Sequence, residues 1–307
     1  MKPTGSPLFC LPLHRRGGIH AFALLVAWLI ATTSGHAAGL ADGKGSFVFH
    51  DVAGDPQKAI TVYTYVPRDL DTKTARIVFV MHGHGKDADG YRDTWIPEAE
   101  RYRFIVVAPL FDDAQWPHGA YSYASVVDSG GAVRDRALWS FSVVEHLFDA
   151  VKTMIANDTP RYFIYGHSEG AQFVHRLVLL LPDARYARAV AANAGWYTMP
   201  TAAVRYPFGT MDSPITDATL ATSFGRELTV LLGDRDIDPN HKELNRTPPA
   251  MAEGVNRFER GQHFFAAAQT RAHALNVPFA WRMQVVSGAA HQNSRMSGPA
   301  AAVLMAP

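Results

Sequence analysis

A chain of 307 residues, 48% of them hydrophobic, is long enough to bury one large core. Its formal charge of +1 at pH 7 leaves no basic footprint for nucleic acid, and its one cysteine excludes a disulfide framework or a thiolate metal site. No internal repeat or low-complexity linker divides it, so a single domain is expected after the N-terminal segment.

Residues 1–37 read as an export leader. Arg15 and Arg16 make a basic n-region, residues 21–31 an apolar stretch too short for a stable membrane span, and Ser34-Gly-His-Ala37-Ala38 a small-residue cleavage site. The paired arginines are followed by Gly17-Gly18-Ile19, a poor match to a twin-arginine signal. Cleavage near Ala37 removes Cys10, and the loss of Lys2, Arg15 and Arg16 takes the formal charge from +1 to −2. The expectation is a periplasmic or secreted protein, residues 38–307, with no membrane association once the leader is gone.

Beyond a small, polar lead-in, residues 47–49 and 60–66 predict two strands joined by a turn-rich segment, with Pro67 ending the second. Residues 76–81 are a continuous apolar run, as in a strand buried on both faces of a parallel sheet, and they lead into His82-Gly83-His84-Gly85. Residues 104–108 repeat that pattern and stop at Pro109. A helix is predicted over 138–155, where Val143, Val144, Leu147, Val151 and Ile155 share a face.

Residues 161–171 organise the rest. Five β-branched, aromatic and basic residues run into Gly166-His167-Ser168-Glu169-Gly170, and an apolar-periodic segment to about Leu181 follows at once. This is strand, sharp turn and helix with a serine at the apex, and the helix start aims unpaired N–H groups at it. Residues 187–192 and 228–232 predict two more strands, the second ending in Gly233-Asp-Arg-Asp236. A helix over 257–275 and a strand over 279–286 lead to Ser287-Gly-Ala-Ala-His291. Two antiparallel-looking strands followed by alternating buried strands and helices make an α/β fold with a mostly parallel central sheet. Sites in such sheets lie at the carboxyl ends of strands, where all these motifs fall.

Serine needs a base within hydrogen-bond reach and a third group to orient that base. His291 is the candidate base, since it follows the last strand in a flexible loop, whereas His118, His241, His263 and His273 lack a strand-end setting. Asp234, Asp236 and Asp238 compete as the orienting acid, and Asp236 is favoured because Gly233-x-x-Asp236 leaves one turn for the chain to reverse. Read as an EF-hand calcium loop, that segment fails, since Pro239 stands where glycine is needed and Asn245 where the bidentate glutamate belongs; a looser calcium site is the alternative left open. The oxyanion donors are expected from the backbone N–H groups of Glu169 and His84. His82 and His84 lack a third ligand nearby, so no metal and no cofactor is expected.

These motifs resemble those of the α/β-hydrolase superfamily, with Gly166–Gly170 as nucleophile elbow, His82-Gly83 as oxyanion loop and the order Ser168, Asp236, His291. Within it, the chain looks most like secreted esterases related to polyhydroxybutyrate depolymerases and feruloyl esterases. The resemblance implies helices on both faces of the sheet, no large cap domain, and hydrolysis of a small or polymeric carboxylic ester through an acyl-serine. Such depolymerases often carry disulfides and appended binding domains, and neither is expected in this sequence. A serine peptidase or transacylase on the same fold is the alternative enzyme, and a non-catalytic binding protein the alternative of another class. Trp116, Trp196 and Tyr197 follow strand ends and are expected to line an apolar or aromatic cleft. Residues 198–223 are the one insertion long enough to act as a lid.

Overall fold

The architecture follows from which strands are buried on both faces. In the computed structural model, residues 39–117 and 119–307 are described; the expected leader lies outside them. Strands β1 (Gly43–His50), β2 (Ala59–Val66), β3 (Arg76–Met81), β4 (Phe104–Pro109), β5 (Tyr162–His167), β6 (Tyr186–Ala192), β7 (Leu228–Gly233) and β8 (Arg282–Val286) form one sheet. Its order is β1-β2-β4-β3-β5-β6-β7-β8. The first two pairings are antiparallel and every pairing from β4 to β8 is parallel. β4 and β7 are buried at every position, as continuous apolar runs require, whereas β1 alternates.

Alternate side chains of β3 feed two cores. Ile77, Phe79 and Met81 pack with Val144, Leu147 and Val151 of α3 (Ser140–Ile155) and with Phe173, Val174 and Leu177 of α4 (Glu169–Leu180). Val78 and Val80 face the other way, towards Trp95, Ala99 and the C-terminal residues Met296, Ala300 and Leu304. Helices therefore cover both faces, as expected.

Among the described residues, five helices carry no periodic signal that predicted them. In chain order the helices are α1 (Ala88–Thr94), α2 (Ile96–Tyr102), α3, α4, α5 (Asp217–Phe224), α6 (Pro248–Glu253), α7 (Arg257–Ala274) and α8 (Asn293–Leu304). Three of the missed ones have seven residues or fewer, too short for an apolar repeat to register, and α8 contains Gly298 and Pro299. Their ends are fixed locally: the Asp87 carboxylate accepts the Gly90 N–H, and Thr216 and Thr219 cap α5 reciprocally. The last strand starts at Arg282, three residues after the expected start, because Phe279 and Trp281 turn into an aromatic cluster with Phe224. Residues 198–223 are folded into a wall: Phe208 stacks on Trp196 at 4.1 Å, and Thr198 is fully buried with its hydroxyl donating to the Pro207 carbonyl.

Candidate active site

Ser168 joins β5 to α4 at φ 58° and ψ −116°, a left-handed conformation that costs about 1–3 kcal/mol and persists only where packing enforces it. The packing is explicit. The Ser168 N–H donates to the Ala192 carbonyl at 3.0 Å. A Cβ at Gly166 would overlap the Gly170 carbonyl, and one at Gly170 would overlap the backbone of Met81 and His82. Both glycines are thus demanded by close approach of β3, β5 and α4.

Three expected residues meet above the sheet. Ser168 Oγ lies 3.0 Å from His291 Nε2, and His291 Nδ1 lies 2.7 Å from Asp236 Oδ2. With the Nδ1–H tautomer, the imidazole donates to the carboxylate and accepts from the serine hydroxyl. Asp236 is 4% exposed. Its other oxygen accepts from Arg257 Nη1 at 3.4 Å, so the buried carboxylate faces a buried guanidinium. Asp234 and Asp238 are spent elsewhere: Asp234 accepts the Gly288 N–H at 2.7 Å and Asp238 the Asn240 N–H at 2.8 Å. The three carboxylates do not converge, and among the described residues no cluster suited to a metal occurs.

The clamping role of Asn193 was not expected from the sequence. Its amide donates to the Ala290 carbonyl at 3.1 Å and accepts the Gly233 N–H at 2.8 Å, tying the loop that bears His291 to the strand end that bears Asp236. It sits at φ 49°, a conformation asparagine tolerates. A strand-end asparagine two residues before Gly195 was the available signal.

His82 is structural. Its Nδ1–H donates to the Gly83 carbonyl at 2.8 Å, and its Nε2 accepts the Phe111 N–H at 3.0 Å. Burial pushes its pKa down to about 4, so the neutral ring fixes the loop that follows. Among the described residues, the N–H groups of His84 and Glu169 have no protein acceptor. His167, beside the serine, is buried with its ring 4.7 Å from that of His291 and its Nδ1 3.0 Å from the Tyr91 hydroxyl. Burial, then the His291 and Arg257 charges, drive its pKa well below the usual histidine value, which keeps it neutral.

A cleft of about 620 Å³ opens over Ser168. His84, Glu169 and Trp196 line it, as do Ser122, Tyr123, Gln172, Lys242, Glu243, Asn245 and Arg257. Trp116 and Tyr197 do not. Trp116 is 3% exposed, packed on Phe111 with Lys58 over its ring, and Tyr197 is fully buried and stacked on Phe264 at 4.5 Å. Large rings close to a strand end gain more by completing the core than by facing water, so both expectations are corrected. Beside Glu169, the charged part of the wall comes from Lys242 and Glu243, in the loop between β7 and α6, and from Arg257 at the start of α7, none of them expected there. The cleft is therefore more polar than its aromatic loops suggested.

No family model matches the chain. Among curated proteins it is 29% identical over 168 residues to feruloyl esterase B of Talaromyces funiculosus, covering 54% of this chain and 44% of that protein. The chain spans about half the length of the curated relatives it matches. Among solved structures, poly(aspartic acid) hydrolase-1 from Sphingomonas sp. KT-1 superposes with a TM-score of 0.83 and 47% identity, covering 86% of this chain and 99% of that one. This chain belongs to the α/β-hydrolase superfamily. A poly(3-hydroxybutyrate) depolymerase from Bordetella parapertussis gives a TM-score of 0.82 and 32% identity over 86% of this hydrolase and 89% of its own chain. Its mostly parallel sheet with two helical layers matches the fold of these esterase and depolymerase-like hydrolases.

Proposed function

We propose that this hydrolase is an exported enzyme that cleaves carboxylic esters through an acyl-Ser168 intermediate. The observation that carries the reading is the unbroken hydrogen-bonded row from Ser168 through His291 to Asp236 at the floor of an open cleft. His291 takes the Ser168 proton as Oγ attacks the ester carbonyl. The tetrahedral oxyanion is met by the unpaired N–H groups of His84 and Glu169, a contribution of about 3–4 kcal/mol for a well-aimed donor. His291 then protonates the leaving alkoxide, and the C–O bond breaks to leave the acyl-enzyme. Water repeats the sequence, with His291 first as base and then as acid, and releases the carboxylic acid and Ser168. Asp236, hydrogen-bonded to both His291 and Arg257, fixes the tautomer and stabilises the imidazolium. Trp196 and Tyr123 supply apolar wall for the acyl or alcohol part. Export rests on the leader at residues 1–37.

An amide substrate is the second reading. It is favoured by the 47% identity to a poly(aspartic acid) hydrolase and by the exposed Lys242 at the cleft, which suits an anionic polymer. A non-catalytic binding protein is disfavoured, since it would have no use for all three groups in mutual contact.

The experiment is labelling of the mature protein with a fluorophosphonate, followed by peptide mapping. Adduct on Ser168, absent from Ser168→Ala, is expected; a folded protein that takes none would transfer the weight to the binding-protein reading. Rates on a p-nitrophenyl ester, the matching anilide and poly(aspartic acid) then separate ester from amide chemistry.

A further inference from the structure

The residue after the serine poses an electrostatic problem that the reaction scheme leaves unanswered. Glu169 is to offer its N–H to a developing oxyanion, yet it carries a carboxylate that lines the same cleft and is only 13% exposed. A partly buried negative charge so close to a forming negative charge opposes the step it should assist.

Its surroundings answer it. Glu169 Oε2 accepts from Lys86 Nζ at 3.1 Å, and Oε1 accepts from Ser122 Oγ at 3.1 Å. Lys86 closes the oxyanion loop, with its N–H donating to the Gly83 carbonyl at 3.2 Å and its backbone at φ 54°. Its ammonium lies 4.9 Å over the Tyr121 ring, and the Tyr121 hydroxyl donates to the His82 carbonyl in the same loop. Lys86 is 16% exposed. Its second carboxylate, Asp113 at 3.5 Å, is 70% exposed and therefore screened, which leaves Glu169 as the dominant partner. His84 Nδ1 stands 3.7 Å from Glu169 on a mostly exposed side chain.

We propose that Lys86 is a positioning residue whose ammonium cancels the Glu169 carboxylate at the oxyanion position. Glu169 can thereby tie the elbow to the oxyanion loop and to the Ser122 wall without repelling charge that forms on the substrate. The inference rests on the acyl-serine reading above. It makes Glu169 tolerable only in the company of Lys86.

The charge argument and a plain strut argument predict opposite results for a double variant. The full-chain protein, Lys86→Met, Glu169→Gln and the pair together are compared by the rate of Ser168 phosphonylation with a fluorophosphonate and by kcat and KM on p-nitrophenyl acetate. Lys86→Met is expected to lower kcat and the labelling rate about 10- to 100-fold with KM changed less than about threefold, because it leaves a bare carboxylate facing the transition state. Adding Glu169→Gln is expected to recover most of that loss. A double variant as slow as Lys86→Met, or slower, would make the pair a strut and overturn the proposal, as would Lys86→Met working at the parent rate. Should Lys86→Met not fold, Lys86→Gln replaces it, with Lys86→Arg expected to hold the parent rate within about threefold. A parent that takes no label removes the acyl-serine reading itself, whereas a labelled parent with indifferent Lys86 variants removes the present inference alone.

Discussion

Glu253, at the end of α6, is a buried carboxyl whose protonation should be readable in the stability of the whole fold. It is 4% exposed; Oε2 accepts the Tyr197 N–H at 2.7 Å, and Oε1 has no partner. Burial pushes its pKa up to about 8, against the opposing pull of that hydrogen bond and of the Arg176 and Arg260 charges. The folded chain therefore holds this proton over a range in which the unfolded chain, with an ordinary carboxyl near 4.5, releases it. The contribution to stability is complete below about pH 4.5 and declines as pH rises towards 8. Each pH unit inside that window is worth about 1.4 kcal/mol, so from pH 5 to pH 7.5 the group costs about 3 kcal/mol. Glu253→Gln keeps a carbonyl for the Tyr197 N–H and removes the titration. Urea unfolding of both proteins at pH 5 and pH 7.5 isolates the group, because the other titrations cancel in the difference. With a slope of about 3 kcal/mol per molar urea, the variant's midpoint should gain about 1 M on the parent between the two pH values. Midpoints that move in parallel would mean that Glu253 is ionised in the folded protein and that Arg176 and Arg260 neutralise it.

Ser168→Ala should lower ester turnover by about 10⁵-fold or more while leaving the urea midpoint nearly unchanged, measured on p-nitrophenyl acetate; a variant that unfolds instead would make Ser168 structural. Asp236→Asn should reduce kcat about 10³- to 10⁴-fold, because the amide leaves the His291 ring in the wrong tautomer, and a loss under tenfold would count against its role as orienting acid. The neutral ring of His82 has its pKa lowered to about 4, so the fold should lose stability as pH falls from about 6.5 towards 4. His167 and His175, both driven well below the usual value by burial, add to the same acid-side loss. Thermal scans at pH 7 and pH 5 check this sign, with Glu253→Gln as background to remove the opposing carboxyl. Trp196→Ala and Trp116→Ala, each removing a ring only 3% exposed, should both cost about 3–5 kcal/mol of stability, but only Trp196→Ala should raise KM; equal KM effects in the two would restore Trp116 to the cleft.

What the sequence determined by itself was whatever depends on contiguous residues. The apolar runs at residues 76–81 and 228–232 read as strands buried on both faces, and Gly166-x-Ser168-x-Gly170 between strand and helix as a tight turn; both are found, with backbone crowding the two glycines. The strand-end positions of Ser168, Asp236 and His291 followed from the same local patterns. Tertiary structure decided everything that turns on which distant side chains share a space. It turned Asp236, and neither Asp234 nor Asp238, towards His291, since the turn at Gly233 and the Asn193 clamp set the direction of each carboxylate. It drew Trp116 and Tyr197 into the core and brought Lys242 and Arg257 to the cleft, an exchange invisible to periodicity because burial in loops has no period. It also set Lys86 against Glu169, 83 residues apart, a pairing that no local pattern encodes.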